Sequence, residues 1–192
     1  MNVSAVILAG GRATRMNGVD KGLVLFNHKP LIEHVIQSIQ DDVEEIQISA
    51  NRNISTYQQY GYPVIPDHFG DFAGPLAGLL SAMHHASHQW ILCLPCDAPF
   101  IQSNLIKNLK KPLINSDFSI SVAFDGIRLQ PTFSIHAKKL YPDLGAFLER
   151  GNRAIKGWIA ENNAVSVDLS AESRNFININ SLNDIEAHEN NK

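Results

Sequence analysis

A glycine pair followed by three cations is the part of this sequence best suited to chemistry. Gly10-Gly11 comes directly after an apolar segment, and Arg12, Arg15 and Lys21 follow, with only Asp20 opposing them. Glycines let backbone N–H groups approach a phosphate with no Cβ in the way. Because the chain as a whole has a formal net charge of −3, this local positive charge predicts a polyphosphate-binding site.

The loop does not match two well-known phosphate-binding motifs, and the cysteines and histidines of the chain do not indicate a second reactive site. The loop has neither the Walker spacing, Gly-x4-Gly-Lys-Ser/Thr, nor the dinucleotide spacing, Gly-x-Gly-x-x-Gly. Cys93 and Cys96 have redox-motif spacing, but their apolar surroundings indicate core packing. His84 and His88 are four residues apart with no third metal ligand nearby, which favours a solvated helix face.

The composition narrows the classes of protein to consider. Hydrophobic residues make up 44% of the 192 and charged residues 18%, as in ordinary globular proteins. The negative net charge offers no basic field for nucleic acid, and no apolar run approaches the roughly 18 residues of a membrane span. Two cysteines are too few for a disulfide framework. We expect a cytoplasmic protein with no nucleic-acid or membrane partner.

Short apolar segments, each followed by polar residues, are expected to position the site as strands. They are Val3–Leu8, Ile46–Ala50, Val64–Ile65 and Trp90–Leu94. Segments with helical spacing alternate with them, at Leu31–Ile39, from Gly74 to about Ala86, and at Ser103–Leu109. The alternation predicts a Rossmann-like, doubly wound α/β sheet, mostly parallel, with helices on both faces. Ligands of such sheets bind outside the carboxyl ends of the strands.

The pattern changes after residue 111 and predicts a smaller C-terminal lobe. Two strands are expected to flank an Asp125-Gly126 turn, followed by a helix interrupted at Gly151, two short strands and a last helix with Ser181 as its N-cap. The expected bounds are Phe118–Phe124, Thr132–Ile135, Ala146–Ala160, Val165–Leu169 and Phe176–Ile177. With no repeat or linker, residues 1–192 are expected to form one domain, with a nucleotide-binding half at 1–110 and the lobe at 111–192.

The opening loop resembles that of the nucleotidyltransferases, most closely the molybdenum cofactor guanylyltransferases, whose first strand ends in Leu-Ala-Gly-Gly-x-x-x-Arg-Met-Gly-x-Asp-Lys. The resemblance spans nearly the whole chain, through Asn51-Arg52, Asp67, Gly74–Gly78, Pro95–Phe100, Pro131-Thr132 and Phe176–Asn180. It implies transfer of GMP from GTP to the terminal phosphate of molybdopterin or the molybdenum cofactor, with Mg²⁺ and release of pyrophosphate. We expect a monomer, with proteins that insert molybdenum or accept the cofactor as possible partners.

The resemblance also implies roles for individual residues. It assigns nucleotide binding to Leu8, Ala9, Gly10, Gly11, Gly74 and Gly78, phosphate contact to Lys21, nucleoside contacts to Asn51 and Asp67, Mg²⁺ binding to Asp97, and the pterin side to Asn178 and Asn180. Phosphoryl-type transfer depends mainly on positioning and on neutralising charge, so Arg15, Lys21 and Asp97 are the expected catalytic residues. The attacking phosphate is already largely dianionic at neutral pH, so no general base is required.

Sugar-1-phosphate nucleotidylyltransferases are one alternative, although many of them carry longer C-terminal regions than this chain. Two further alternatives stay open at this level. A CTP-dependent molybdopterin cytidylyltransferase shares the loop and the strand-end aspartate by resemblance, and only a few donors and acceptors near Leu8, Asn51 and Asp67 would separate the bases. Guanine presents donors at N1 and N2, for which the Asp67 carboxylate is a suitable acceptor. A non-catalytic GTP-binding module is the other alternative, although it would be expected to have lost Lys21 or Asp97, and both are present.

Overall fold

The computed structural model describes residues 1–10, 19–67 and 74–189 of the chain. The strands are β1 (Val3–Leu8), β2 (Leu25–Phe26), β3 (Lys29–Pro30), β4 (Glu45–Ser49), β5 (Val64–Ile65), β6 (Trp90–Pro95), β7 (Ile120–Phe124), β8 (Leu129–Ala137) and β9 (Ala164–Asp168). The helices are α1 (Leu31–Ile39), α2 (Ile54–Gln58), α3 (Pro75–His85), α4 (Ser103–Lys110), α5 (Tyr141–Glu149), α6 (Ile155–Ala160) and α7 (Leu182–Glu189). Gly11, Arg12 and Arg15 of the predicted phosphate loop lie outside the described residues.

Seven of these strands form one sheet, in the order β5-β4-β1-β6-β8-β7-β9. The first four are parallel to one another, β8 is antiparallel to both of its neighbours, and β9 is parallel to β7. Leu8 at the end of β1 pairs with Ser49 of β4 and with Pro95 of β6, so these strands end level at one edge. The predicted, mostly parallel α/β sheet is confirmed.

Alternate residues of the strands enter two hydrophobic cores, one on each face of the sheet. In β1, Ala5 and Ile7 pack on the face covered by α1 and α4, whereas Val6 packs on the face covered by α3, α5 and α6. Because both faces are buried, the strands read in the sequence as continuous apolar runs rather than as alternating patterns. Helices on both faces confirm the doubly wound arrangement.

The helices follow the prediction with two differences. The helix expected from Ala146 begins at Tyr141, and Pro142 lies in its first turn, where the missing N–H of proline costs little. The expected interruption at Gly151 is present, and its φ of +83° suits glycine. No sequence pattern predicted the five-residue α2, which follows Asn53 in the left-handed region at φ 50°.

The strand expected at Phe176–Ile177 is wrong. A 3-10 helix covers Ser170–Phe176 instead. The Phe176 ring packs edge-on against Phe133, with ring centroids 5.1 Å apart, and β9 already occupies the sheet edge beside β7. The apolar pair therefore covers the core from a turn instead of adding a strand to the sheet.

The predicted hairpin and the predicted helix cap are both present. β7 and β8 flank the turn at Asp125-Gly126, with a φ of +93° at Gly126 and a register shift within β7. At the start of α7, the Ser181 hydroxyl accepts the Asp184 N–H at 3.2 Å, and the Asp184 carboxylate accepts the Ser181 N–H at 2.9 Å. This reciprocal pair is a capping box, which fixes the segment that precedes the helix.

The cysteines and histidines that resembled redox or metal motifs have structural surroundings. Cys93 and Cys96 are buried free thiols, and burial raises the pKa of Cys93 to about 12. His84 is exposed in the last turn of α3, whereas His88 lies beyond that helix, with Nδ1 at 3.0 Å from the Ser4 hydroxyl. No helix within the described ranges is long and apolar enough to cross a membrane.

A fully buried histidine lies in β8. Nε2 of His136 is 2.8 Å from the Ser134 hydroxyl, and that hydroxyl donates to the Pro131 carbonyl at 2.8 Å. Ser134 must therefore accept from the histidine, which leaves Nδ1 without a partner among the described residues. Burial lowers the pKa of His136 to about 3, so the ring is neutral in the folded protein.

Replacing His136 with leucine is expected to make the free energy of unfolding less dependent on pH below neutrality. Unfolded histidine titrates near pH 6.5, so below that pH the unfolded state binds a proton that the folded state excludes, and stability falls as pH falls. Between about pH 7.5 and about pH 5, wild type should lose about 2 kcal/mol more unfolding free energy than His136→Leu, as measured by urea denaturation. Equal losses of unfolding free energy in wild type and His136→Leu would contradict a neutral, buried His136. The matched control is His84→Leu, because His84 is exposed.

Candidate active site

The carboxyl ends of β1, β4, β5 and β6 form one edge of the sheet, and backbone hydrogen bonds join them just beyond the strands. Ala9 donates its N–H to the Ser49 carbonyl at 2.8 Å, and Cys96 donates to the Leu8 carbonyl at 3.2 Å. Ligands of open parallel sheets bind outside this edge. The structure thus brings site residues predicted from separate segments of the chain to one edge.

Asn51 and Asp67 are paired beside Gly10. The side-chain amide of Asn51 donates to Asp67 Oδ2 at 2.8 Å, and Asn51 Oδ1 accepts the Asp67 N–H at 2.8 Å. The Ser49 hydroxyl donates to the other carboxylate oxygen, Asp67 Oδ1, at 3.2 Å. A Cβ added to Gly10 would lie 3.5 Å from Asn51 Nδ2. The exposed backbone of Gly10 and the Asp67 carboxylate therefore border the same space.

Lys21, Asp97 and Asn180 form a second group at this edge. The Lys21 amine donates to Asp97 Oδ2, and also to Asn180 Oδ1 at 2.7 Å. The Lys21 side chain is 31% exposed and that of Asp97 is 10% exposed, so the ion pair lies at the protein surface with its carboxylate turned inward. A lysine amine that keeps part of its surface open can take a further anionic partner.

The segment before α7 closes over this ion pair. Ile179 donates its N–H to the Asp97 carbonyl at 2.9 Å, and Asn180 donates its N–H to the Asp184 carboxylate at 2.7 Å. The capping box of α7 thereby holds the residue whose side chain accepts from Lys21. The resemblance assigns Asn180 to the pterin side, and the structure places it in contact with the predicted phosphate-binding lysine.

Two oxygens in this region, Asp97 Oδ1 and Asn178 Oδ1, are buried and have no hydrogen-bond partner among the described residues. Mg²⁺ prefers oxygen ligands, and in nucleotide sites it takes one or two carboxylates together with phosphate oxygens and water. Among the described residues there is no cluster of three or more metal-ligating side chains. The donor set therefore fits a metal shared with a bound phosphate and does not fit a closed protein cage.

Gly74 and Gly78 lie at the start of α3 and differ in their surroundings. Gly74 has a φ of +76°, and a Cβ there would lie 3.9 Å from the Arg153 carbonyl oxygen. A Cβ on Gly78 would lie 2.8 Å from Leu8 Cδ2 and 3.1 Å from Ser49 Cβ, closer than packed atoms approach. Gly78 thus allows α3 to pack directly against the ends of β1 and β4.

Asp20, which directly precedes Lys21, and the two residues that hydrogen-bond to it were missed from the sequence. Asp20 is only 6% exposed, and its carboxylate accepts hydrogen bonds from Tyr57 and Asn53. In the sequence Asp20 opposes the cations of the loop and belongs to the Asp-Lys pair of the family motif, but no role was assigned to it. Its position directly before Lys21 was the available signal; Tyr57 and Asn53 gave none.

Solved structures with low sequence identity to this chain share its fold. The molybdopterin-guanine dinucleotide biosynthesis protein A of Archaeoglobus fulgidus superposes with a TM-score of 0.81 at 23% identity, over 99% of this chain and 97% of that one. A nucleotidyl transferase from Methanothermobacter thermautotroptrophicus superposes with a TM-score of 0.79 at 19% identity, over 98% and 96% of the two chains.

Sequence relationships define the class and then the family. Residues 5–165 match the family described as the MobA-like NTP transferase domain, so the chain is a nucleotidyltransferase. Proteins named molybdenum cofactor guanylyltransferase are 42% identical in Histophilus somni (98% of this chain, 96% of the relative) and 45% identical in Vibrio vulnificus (92% and 90%). The chain belongs to the MobA-like NTP transferase family, among its molybdenum cofactor guanylyltransferases.

Proposed function

We propose that this protein transfers GMP from GTP to the terminal phosphate of molybdopterin or of the molybdenum cofactor, forming the guanine dinucleotide and releasing pyrophosphate. Full-length relatives named for guanylyl transfer support the reaction. The structural observation that carries it is the group of Lys21, Asp97 and Asn180, in which one Asp97 oxygen accepts from the lysine and the other has no hydrogen-bond partner within residues 1–10, 19–67 and 74–189. This group provides a cation and an open metal ligand at the edge where a triphosphate would bind.

The proposed chemistry requires charge neutralisation more than a nucleophilic side chain. An oxygen of the pterin phosphate attacks the α-phosphorus of GTP, and the bond to the α,β-bridging oxygen breaks as pyrophosphate leaves. The Lys21 amine neutralises negative charge on the phosphates, and its hydrogen bond to Asp97 keeps that carboxylate oriented. Asp97 Oδ1 would hold Mg²⁺, which supplies further neutralisation of the phosphate oxygens. Arg15 remains a predicted screening cation.

The base and pterin contacts are proposed from position. The Asn51 and Asp67 pair, which lies beside Gly10, contacts the nucleoside of GTP. Among the described residues, each carboxylate oxygen of Asp67 accepts one hydrogen bond, from Ser49 or Asn51, which leaves a second lone pair on each. Those lone pairs suit the N1 and N2 donors of guanine, which cytosine lacks in that arrangement. Asn178 remains the proposed pterin-side contact.

The deciding experiment is pyrophosphate release from GTP, CTP and ATP, each with Mg²⁺ and molybdopterin added to the purified protein. Release that requires the pterin and is fastest with GTP is the expected result. A preference for CTP would transfer the assignment to the cytidylyltransferase alternative, with the same fold and mechanism. Binding of GTP without turnover would favour a non-catalytic module.

We place the reaction in the cytoplasm, with a monomeric enzyme passing its product to cofactor-accepting proteins.

A further inference from the structure

A buried carboxylate lies directly beside Lys21 and has no role in the proposed reaction. Asp20 is 6% exposed, and within the described residues its Oδ1 accepts a hydrogen bond from the Tyr57 hydroxyl at 2.6 Å and its Oδ2 accepts one from the Asn53 amide at 3.1 Å. A carboxylate removed from water is costly unless it is well bonded, so each donor to it matters. The bonds fix Asp20 to the segment that contains α2.

Tyr57 also contacts the residue on the other side of Lys21. A Cβ added to Gly22 would lie 2.6 Å from the Tyr57 hydroxyl oxygen and 3.4 Å from Cys96 Sγ. The tyrosine is fully buried, and burial, then Cys96 and Asp20, raise its pKa, so the hydroxyl stays protonated and donates. One phenol therefore holds Asp20 by a hydrogen bond and packs against the backbone of Gly22.

The backbone around Lys21 is closed into a tight turn. The carbonyl of Asp20 accepts the Leu23 N–H at 3.0 Å, and the carbonyl of Lys21 accepts the Val24 N–H at 3.2 Å. A lysine side chain is flexible, so the place of its amine depends on where its backbone is held as well as on Asp97 at its tip. The Asp20 carboxylate and the Tyr57 hydroxyl provide that hold from the buried side.

We propose that Asp20 and Tyr57 are positioning residues for Lys21, which keep its amine beside Asp97 and directed at the incoming phosphates. The inference rests on the proposed function in one respect, the role of Lys21 in binding phosphate. It extends the site inward to two residues that touch neither substrate nor metal. Asn53 assists as the second donor to the Asp20 carboxylate.

The first test is Tyr57→Phe, which removes the hydroxyl and keeps the ring. We expect kcat/KM for GTP to fall about tenfold, and the affinity for inorganic tripolyphosphate, measured by calorimetry, to fall by a similar factor, because Lys21 is no longer held. Tyr60→Phe is the matched control, since its ring lies beside that of Tyr57, with centroids 6.4 Å apart, and is expected to change neither. Unchanged tripolyphosphate affinity in folded Tyr57→Phe would overturn the inference.

A double-mutant cycle separates positioning from a general loss of stability. If Tyr57 acts through Lys21, then Tyr57→Phe should have no further effect on tripolyphosphate affinity in a Lys21→Met background. The same loss in both backgrounds would overturn the proposal. If Tyr57→Phe melts below the assay temperature, Asn53→Gly replaces it, because glycine retains the φ of 50° while removing the second donor to Asp20. Tripolyphosphate carries no base and undergoes no guanylyl transfer, so the cycle decides even if the proposed function fails.

Discussion

Asp97→Asn is expected to lower kcat by about a thousandfold while the protein stays folded. The substitution keeps the shape of the side chain but replaces a metal-binding carboxylate with an amide. Asp97 Oδ1 is buried with no partner in the part of the chain that the structure describes, and Oδ2 accepts from Lys21, so the removed charge serves the site more than the core. The loss should appear in pyrophosphate release with GTP and molybdopterin at saturating substrate.

The measurement needs a matched control and a metal titration. Asp143→Asn makes the same chemical change on the exposed first turn of α5 and should leave the rate unchanged. Raising Mg²⁺ should recover part of the activity of Asp97→Asn, because a weakened site fills at higher metal concentration. Full activity of a folded Asp97→Asn protein at ordinary Mg²⁺ would remove Asp97 from the metal site.

The sequence was sufficient to predict the sheet and the edge that carries the site. Apolar runs that stop at polar residues mark strands buried on both faces, and parallel strands place their carboxyl ends together. Asn51, Asp67 and Asp97 all lie at that edge in the structure, and Asn51 is bonded directly to Asp67. The capping box at Ser181 was also readable, because it depends on residues three apart.

The contacts between distant segments could not be read from the sequence. Asn180 and Lys21 are 159 residues apart, and Tyr57 and Asp20 are 37 apart. No local pattern encodes such pairs, because they depend on how the sheet and its helices stack. The strand expected at Phe176 was wrong for the same reason: a short apolar pair fits a sheet edge or a covering turn, and the packing against Phe133 decides between them.

Gly78 belongs to a predicted nucleotide-binding motif, but the packing around it also requires glycine at this position. The resemblance assigns it to nucleotide binding, whereas the structure shows that a side chain there would meet Leu8 and Ser49. Both of those residues end strands that border the site. Gly78 therefore allows α3 to pack against both strand ends, next to the Ser49 hydroxyl that donates to the Asp67 carboxylate.

Lys21→Met is expected to lower kcat/KM for GTP by about a hundredfold to a thousandfold, since it removes the amine and keeps most of the side-chain stem. The amine is the donor to both Asp97 and Asn180, so its loss also frees those two oxygens. If Lys21 binds phosphate in the ground state as well as at the transition state, GTP affinity measured without turnover should fall too, though by a smaller factor than kcat/KM. Calorimetry in the absence of molybdopterin measures that affinity directly.

Two comparisons make the Lys21 prediction specific. Lys29→Met is the matched control, because Lys29 lies exposed in the β2–β3 hairpin and contacts only Gln37 at 3.4 Å among the hydrogen bonds of the described residues, so its loss should leave kcat/KM unchanged. Lys21→Arg keeps the charge but places a planar guanidinium beside Asp97, and it should recover binding more fully than turnover, because the compact amine fits between Asp97 and Asn180 and the fork does not. Full turnover in Lys21→Arg would show that positive charge alone is sufficient at this position, and full activity in Lys21→Met would remove the lysine from the reaction.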